Sequence, residues 1–288
     1  MRSEKEMMDL IVGVAEKDDR IRAVYMNGSR TNPNIKKDMF QDYDVVYVVK
    51  ETQSFIDDKN WISVFGDMAV MQLPDDNDNA WGENHDFSRS YAWLMLFKDG
   101  NRIDLGIEIK EKALEGFTKE NYDKLTIVLL DKDNILPECP PPTDEDYRIK
   151  KPTESQYYAH CNEFWWCLNN VAKGIARDEL PYAMWMYHVV VRETLEAMIE
   201  WHIGINTGFS LSAGKQGKFF KKYMPEELYE MYKKTYSDGE YDNFWSAIFT
   251  ACDLFRIIAP QVGEYFGFVY KKGEEENMLE YLKWVRSL

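Results

Sequence analysis

The sequence predicts an α+β chain, with an α/β domain over residues 1–140 and an all-helical domain over residues 141–288. Short β-branched and apolar runs alternate with turn signals in the first part. Pro137, Pro140, Pro141 and Pro142 then sit in an acidic stretch that ends at Lys151-Pro152 and reads as a linker. Beyond it, residues 153–178, 182–204 and 225–236 are long, amphipathic and free of internal proline, the pattern of helices.

Ser3 followed by Glu6 forms a capping box, opening a helix in which Met7, Leu10, Ile11 and Val14 recur at helical spacing. Ile21 to Asn27 is β-branched and apolar and reads as a strand; Gly28 to Asn34, with its Gly, Pro and two Asn, reads as a turn. Val45 to Val49 and Met68 to Leu73 follow as strands. Tyr91 to Phe97 and Arg102 to Ile109 flank Asp99-Gly100-Asn101 and predict a hairpin. In its second arm Ile103, Leu105, Ile107 and Ile109 alternate with Arg102, Asp104, Gly106 and Glu108, which puts Asp104 and Glu108 on one face. Thr126 to Leu130 reads either as a last strand or as a helix end.

With 288 residues, 45% hydrophobic and 15% aromatic, the chain has material for a full core in one large or two ordinary domains. Fifty acidic against thirty-five basic residues give a net charge of -15. Such a chain repels polyanions, so a nucleic-acid partner is not expected; a cationic small molecule would be attracted. Cys139, Cys161, Cys167 and Cys252 show no metal-ligand spacing and read as free thiols in a reducing compartment. Neither a signal peptide nor a membrane span is legible, so a cytoplasmic, soluble protein is expected.

The most informative stretch is Asn27-Gly28-Ser29-Arg30 followed by Asp42-Tyr43-Asp44 at the start of a strand. Carboxylates at i and i+2 project to one face, roughly 6–7 Å apart. They repel each other, and a cation between them relieves that cost. Magnesium takes oxygen ligands and joins one or two carboxylates to substrate phosphates. Asp104 on a neighbouring strand would add a third carboxylate, as in sites that clamp the attacking and leaving oxygens of a phosphoryl displacement. Gly28 and Ser29 can hold phosphate oxygens through backbone N–H groups and the hydroxyl. Arg30 can add charge to that loop or pair with a nearby acid. Alone, each piece is an ordinary surface feature; together they point to metal-dependent nucleotidyl transfer.

Gly-Ser, then Asp-x-Asp, then a strand Asp is the pattern of the nucleotidyltransferase superfamily related to DNA polymerase beta. The chain further resembles the aminoglycoside 6-adenylyltransferases, which act on streptomycin. The resemblance is carried by Met1-Arg2-Ser3-Glu4 with Glu6-Met7-Met8, Gly28-Ser29-Arg30-Thr31-Asn32, Phe40-Gln41-Asp42-Tyr43-Asp44, Leu129-Leu130-Asp131-Lys132-Asp133, Cys161-Asn162-Glu163-Phe164-Trp165 and Ala172-Lys173-Gly174. It runs from the first helix to about residue 256.

The resemblance implies a nucleotidyltransferase domain with a mixed sheet over residues 1–140 and a helical substrate-binding domain over 141–288. It implies ATP as co-substrate, magnesium as cofactor and streptomycin as acceptor. Asp42, Asp44 and Asp104 match the metal-binding and catalytic carboxylates, with Asp104 as proton acceptor and Glu108 as the weaker alternative. Gly28, Ser29 and Arg30 match the nucleotide loop.

In the helical domain Lys173 either reaches the triphosphate or is a solvated helix lysine. Asp178 and Glu179 either bind the drug's guanidinium groups or merely end a helix. Trp165, Trp166 and Trp185 are expected in the core. Gly214-Lys215-Gln216-Gly217-Lys218 lacks the ending and spacing of a P-loop and reads as a flexible basic loop, with a phosphate contact as alternative. None of the four histidines is assigned a catalytic role. A monomer is the default, since one chain supplies every motif. Transfer to another small or protein acceptor, or a nucleotide-binding module without catalysis, are the competing readings.

Overall fold

Helix α1 (Glu4–Lys17) begins at the capping box: the Glu6 N–H donates to the Ser3 hydroxyl, and the Ser3 N–H donates to the Glu6 carboxylate. Its buried side, Met7, Ile11 and Ala15, is the i, i+4, i+8 stripe that an amphipathic helix presents to a core. In the computed structural model, which describes Met1–Leu288, the chain forms two compact units, Met1–Asp146 and Tyr147–Leu288.

The first unit is built on a six-stranded sheet of β1 (Ile21–Asn27), β2 (Tyr43–Val49), β3 (Met68–Gln72), β4 (Ser90–Phe97), β5 (Arg102–Ile109) and β6 (Ile127–Asp131). Short helices α2 (Gln53–Asp57), α3 (Pro74–Ala80) and α4 (Lys110–Gly116) interrupt the strands. The strand order is β3-β4-β5-β2-β1-β6; β2 and β5 run parallel and all other neighbours antiparallel, so the sheet is mixed as expected. The 126–130 run, ambiguous in sequence, becomes the edge strand β6.

One face of the sheet carries the core: Val24, Met26, Tyr43, Val45, Tyr47, Trp93, Met95, Ile103, Leu105 and Ile107 form one cluster with Met7, Ile11 and Ala15 of α1 and with Phe55, Ile62 and Phe65. The period-two alternation of β5 is what delivers this face. The opposite face is covered only in part, by a small cluster of Ala23, Tyr25, Val48 and Ala113, with Phe117, Ile135 and Leu136 against it. Beyond that cluster, polar side chains stand on the strands.

The Leu129–Asp133 stretch fastens the sheet edge. Lys132 donates to the carbonyls of Ala15 and Asp18 at the end of α1, where cations complement the helix terminus. The Asp131 carboxylate accepts from the backbone N–H groups of Asp133, Ile135 and Leu136.

The second unit is helical: α5 (Glu154–Ala176), α6 (Leu180–Trp185), α7 (Arg192–Thr207), α8 (Phe220–Tyr223), α9 (Glu226–Lys233), α10 (Tyr241–Phe266) and α11 (Lys272–Arg286). One departure from expectation stands out. The run expected as one helix over 182–204 is broken by a π-helical segment at Met186–Val191. Its wider turn brings Tyr187, Val191 and the following Arg192 all inside, where Tyr187 donates to the carbonyls of Thr235 and Ala247. The long α10 contains Pro260, a breaker by sequence; burial of Ile258, Ala259 and Val262 around it carries the helix through.

Trp165 is buried as expected, but Trp166 and Trp185 are 65% and 56% exposed. Both lie on the outer sides of helices whose inner sides are already filled by Trp165, Leu168, Ala183 and Tyr187. The cysteines are all free, three of them buried. No helix is long and apolar enough to cross a membrane.

Candidate functional site

The parallel pairing of β2 and β5 sets Asp44 directly opposite Asp104 in register, and the pleat carries both to the partly covered face. Asp42, one step before β2, shares that face, since the Tyr43 between them points into the core. Three carboxylates therefore share one face of two adjacent strands, two of them two residues apart along the chain and the third brought in by the fold.

A cation already stands among them. Arg102, two residues before Asp104 on the same face, donates Nε to Asp104 Oδ1 at 2.7 Å and NH2 to Oδ2 at 2.6 Å. Its NH1 lies 3.5 Å from Asp42 Oδ2. Arg102 has no role among the expected site residues, although the β5 alternation puts it on the Asp104 face. Asn27, which opens the Asn27–Arg30 stretch and lies opposite Asp44 on β1, has no expected role of its own; its Oδ1 accepts from the Thr126 hydroxyl at 2.8 Å, a pairing no local pattern announces.

Burial pushes the Asp44 carboxyl up to about 6, and the charges of Asp104 and Asp42 add to the shift. Burial also raises Asp42, against the pull of Arg102. Arg102 is itself raised, chiefly by its hydrogen bonds to Asp104.

Asp42 and Asp44 suit a divalent cation that shares its shell with substrate phosphates: both offer oxygen, and the ionised form of Asp44 is costly until a cation compensates it. The expected three-carboxylate ligand set is not assembled, and no three acidic, histidine or cysteine side chains surround one ion position. Both oxygens of Asp104 accept from Arg102 instead.

The Gly28 turn closes over this pair. Gly28 has φ +80, a region that favours glycine, and a Cβ there would lie 2.2 Å from Asp44 Oδ2. The absence of a side chain lets the turn and the carboxylate share the space. Ser29 starts a single 3-10 turn through Thr31, and its carbonyl accepts from Gln41 Nε2 at 3.2 Å. Arg30 turns inward at 6% exposure. Its guanidinium lies 3.8 Å over the Tyr43 ring and donates to the carbonyls of Gln41 and Asp42. It braces the chain entering β2: Nε and one terminal nitrogen reach backbone carbonyls, and the other lies 3.7 Å from the Glu4 carboxylate.

Glu108 shares the Asp104 face, as the alternation predicted, but four residues along, about 13 Å at strand rise. There it receives a hydrogen bond from the Tyr25 hydroxyl at 3.1 Å, and burial raises its carboxyl.

In the second unit Lys173 is exposed on α5, beside a groove of about 360 Å³ that Trp165, Trp166, Met278 and Tyr281 also line. Asp178 adopts φ 58 in the turn between α5 and α6, and its carboxylate accepts from the Tyr241 hydroxyl at 2.8 Å. Glu179 is exposed at the N-cap of α6. The Gly214–Lys218 segment is a tight turn in which Gln216 has φ 54.

A mixed sheet with an acidic pair at a glycine turn, followed by helices, is an α+β nucleotidyltransferase-like fold. A family model described as streptomycin adenylyltransferase matches residues 1–285. The aminoglycoside 6-adenylyltransferase of Campylobacter jejuni is 40% identical over 276 residues, covering 96% of this chain and 93% of that protein. Its namesake in Bacillus subtilis (strain 168) is 39% identical over 275 residues, 96% of this chain and 95% of the relative. The one in Staphylococcus aureus is 35% identical over 281 residues, 97% and 98%. A crystal structure of an aminoglycoside 6-adenyltransferase from Bacillus subtilis covers 99% of both chains at 33% identity, with a TM-score of 0.48. The chain belongs to the streptomycin adenylyltransferase family, and it is an adenylyltransferase.

Proposed function

We propose that the enzyme transfers AMP from ATP to a hydroxyl of streptomycin, with magnesium, releasing pyrophosphate and inactivating the drug. The observation that carries this reading is the register of Asp44 against Asp104, beside Asp42 and beneath the Gly28 turn.

In this reading Asp42 and Asp44 hold the metal. Bound there, the ion would neutralise triphosphate charge and polarise the α-phosphate. Gly28 and Ser29 orient the phosphates through backbone N–H groups and the Ser29 hydroxyl. Asp104 accepts the proton of the attacking hydroxyl as its oxygen bonds to the α-phosphorus and the bond to pyrophosphate breaks. Arg30 acts through the backbone, by holding Gln41 and Asp42 in place. Positioning and charge neutralisation account for most of the rate.

The first unit thus serves as the nucleotidyltransferase domain and the second as the substrate-binding domain. For the second unit the reading rests on side-chain chemistry: Lys173 offers an ammonium to phosphate, and the exposed carboxylates of Asp178 and Glu179 suit guanidinium groups. The absence of any basic stripe and the net charge of -15 support a small cationic acceptor over a nucleic acid.

Pyrophosphate release with ATP and magnesium, measured with and without streptomycin, tests the proposal. Streptomycin-dependent release in the parent, lost by at least ~100-fold in Asp44→Asn, is the expected result. ATP binding without release on streptomycin or a panel of other aminoglycosides would move the reading to another acceptor or to a binding module.

A further inference from the structure

Arg102 is bound to the acidic cluster more fully than any other cation near it. It takes both oxygens of Asp104, at 2.7 and 2.6 Å, and reaches Asp42 at 3.5 Å, while remaining 42% exposed. Both contacts follow from strand geometry. Arg102 lies two residues before Asp104 on one face of β5, and the parallel register that sets Asp44 beside Asp104 sets the residue two earlier beside Asp42. The guanidinium has no buried partner of its own, so its ties are to the carboxylates.

We propose that Arg102 is the resident counter-cation of the site: a positioning residue that holds Asp42 and Asp104 in the metal-free enzyme and competes with the divalent cation for Asp42. The inference rests on the reading that these carboxylates serve metal binding and proton acceptance. It adds a requirement to that reading. The guanidinium takes both Asp104 oxygens, so it stands where the attacking hydroxyl would have to donate. Arg102 must therefore release Asp104 before transfer, and a cation arriving at Asp42 repels the guanidinium and favours that release.

The competition is read in the nucleotide-free, full-length protein by titrating Mn2+ and following the free ion by electron paramagnetic resonance. The parent, Arg102→Gln, Arg102→Lys and Asp44→Asn are compared, each checked for folding by circular dichroism. Arg102→Gln is expected to bind Mn2+ on the order of fivefold more tightly than the parent, the size expected for removing a partly exposed competing charge. Arg102→Lys, which keeps the charge but loses the fork, should fall between, about twofold tighter. Added Mn2+ should also raise the melting temperature of Arg102→Gln by more than it raises that of the parent. A residue with only a structural role would lower stability and leave Mn2+ affinity where it was.

Unchanged or weaker Mn2+ binding in Arg102→Gln, beside loss of binding in Asp44→Asn, overturns the role of Arg102 and leaves the metal site standing. Undiminished binding in Asp44→Asn overturns the metal reading itself, and this inference with it. If Arg102→Gln does not fold, Arg102→Lys decides: parental affinity there sinks the proposal.

Discussion

Asp44 carries a conflict between stability and function. Its carboxyl is pushed up to about 6, from an ordinary value near 4, by burial and by two neighbouring carboxylates. Between those values the folded protein binds more protons than the unfolded chain, so stability falls as pH rises through that window. The cost is absent below about pH 4 and complete above about pH 6. Asp44→Asn removes it. In EDTA at pH 7.5 the variant should be more stable than the parent by about 1 kcal/mol, after discounting the shift for partial exposure. That corresponds to a melting temperature about 1–3 °C higher. The gain should vanish near pH 4, and saturating magnesium should reverse it by stabilising only the parent. A variant that melts lower than the parent in EDTA at pH 7.5 would show that the carboxylate contributes more than it costs.

Gly28 and Arg30 show how far single residues were legible. Gly-Ser in a turn signals a close approach to something, and the structure names one such thing: Asp44 Oδ2, 2.2 Å from where a Cβ would be. Arg30 beside that turn could have served phosphate or protein. Its inward rotamer over Tyr43 depends on the Gln41 and Asp42 carbonyls, whose position is set by the path into β2.

At the scale of elements, β5 was readable almost whole. Its alternation gave the buried aliphatics and placed Arg102, Asp104 and Glu108 together on the other face. What it could not show is that the face is divided along its length, with the partly exposed Arg102 at Asp104 and the buried Tyr25 at Glu108. The two acids should therefore behave differently. Asp104→Asn is expected to lower kcat by ~100-fold or more, the lower range for loss of a general base. Glu108→Gln, which can still pair with the Tyr25 hydroxyl, should keep kcat within about threefold. Steady-state rates at saturating ATP and streptomycin would separate them, and a Glu108→Gln loss equal to that of Asp104→Asn would reassign the base.

The helical unit was legible in outline and less so in detail. Amphipathic spacing located α5 and α7, but Met186–Val191 buries Met186, Tyr187 and Val191, a spacing that a 3.6-residue turn does not supply, and only packing chose the π-helical solution. Packing likewise explains Trp166 and Trp185: each core position was taken by a neighbour, and the indoles were left outside.

Over the whole molecule, fifty acidic and thirty-five basic residues create a field that draws cations and repels anions. For a cationic acceptor, encounter should therefore depend on ionic strength while the bound complex reacts at a nearly constant rate. At fixed saturating magnesium and ATP, kcat/KM for streptomycin should fall severalfold between about 50 and 300 mM KCl, with kcat changing little. A flat kcat/KM over that range would remove long-range steering from the account.

The sequence by itself determined what local physics controls. Capping chemistry started α1, side-chain alternation oriented β5, turn residues ended β1, and composition separated a sheet-bearing part from a helical one. The tertiary structure decided the neighbours. That β2 runs parallel to β5, and pairs Asp44 with Asp104, is a choice of register between strands more than fifty residues apart, which no local period encodes. Which cation stands among three carboxylates was decided the same way. Arg30 and Arg102 are both close to them in sequence or register, and the fold ties the first to the Gln41 and Asp42 carbonyls and to Glu4 and leaves the second in the site.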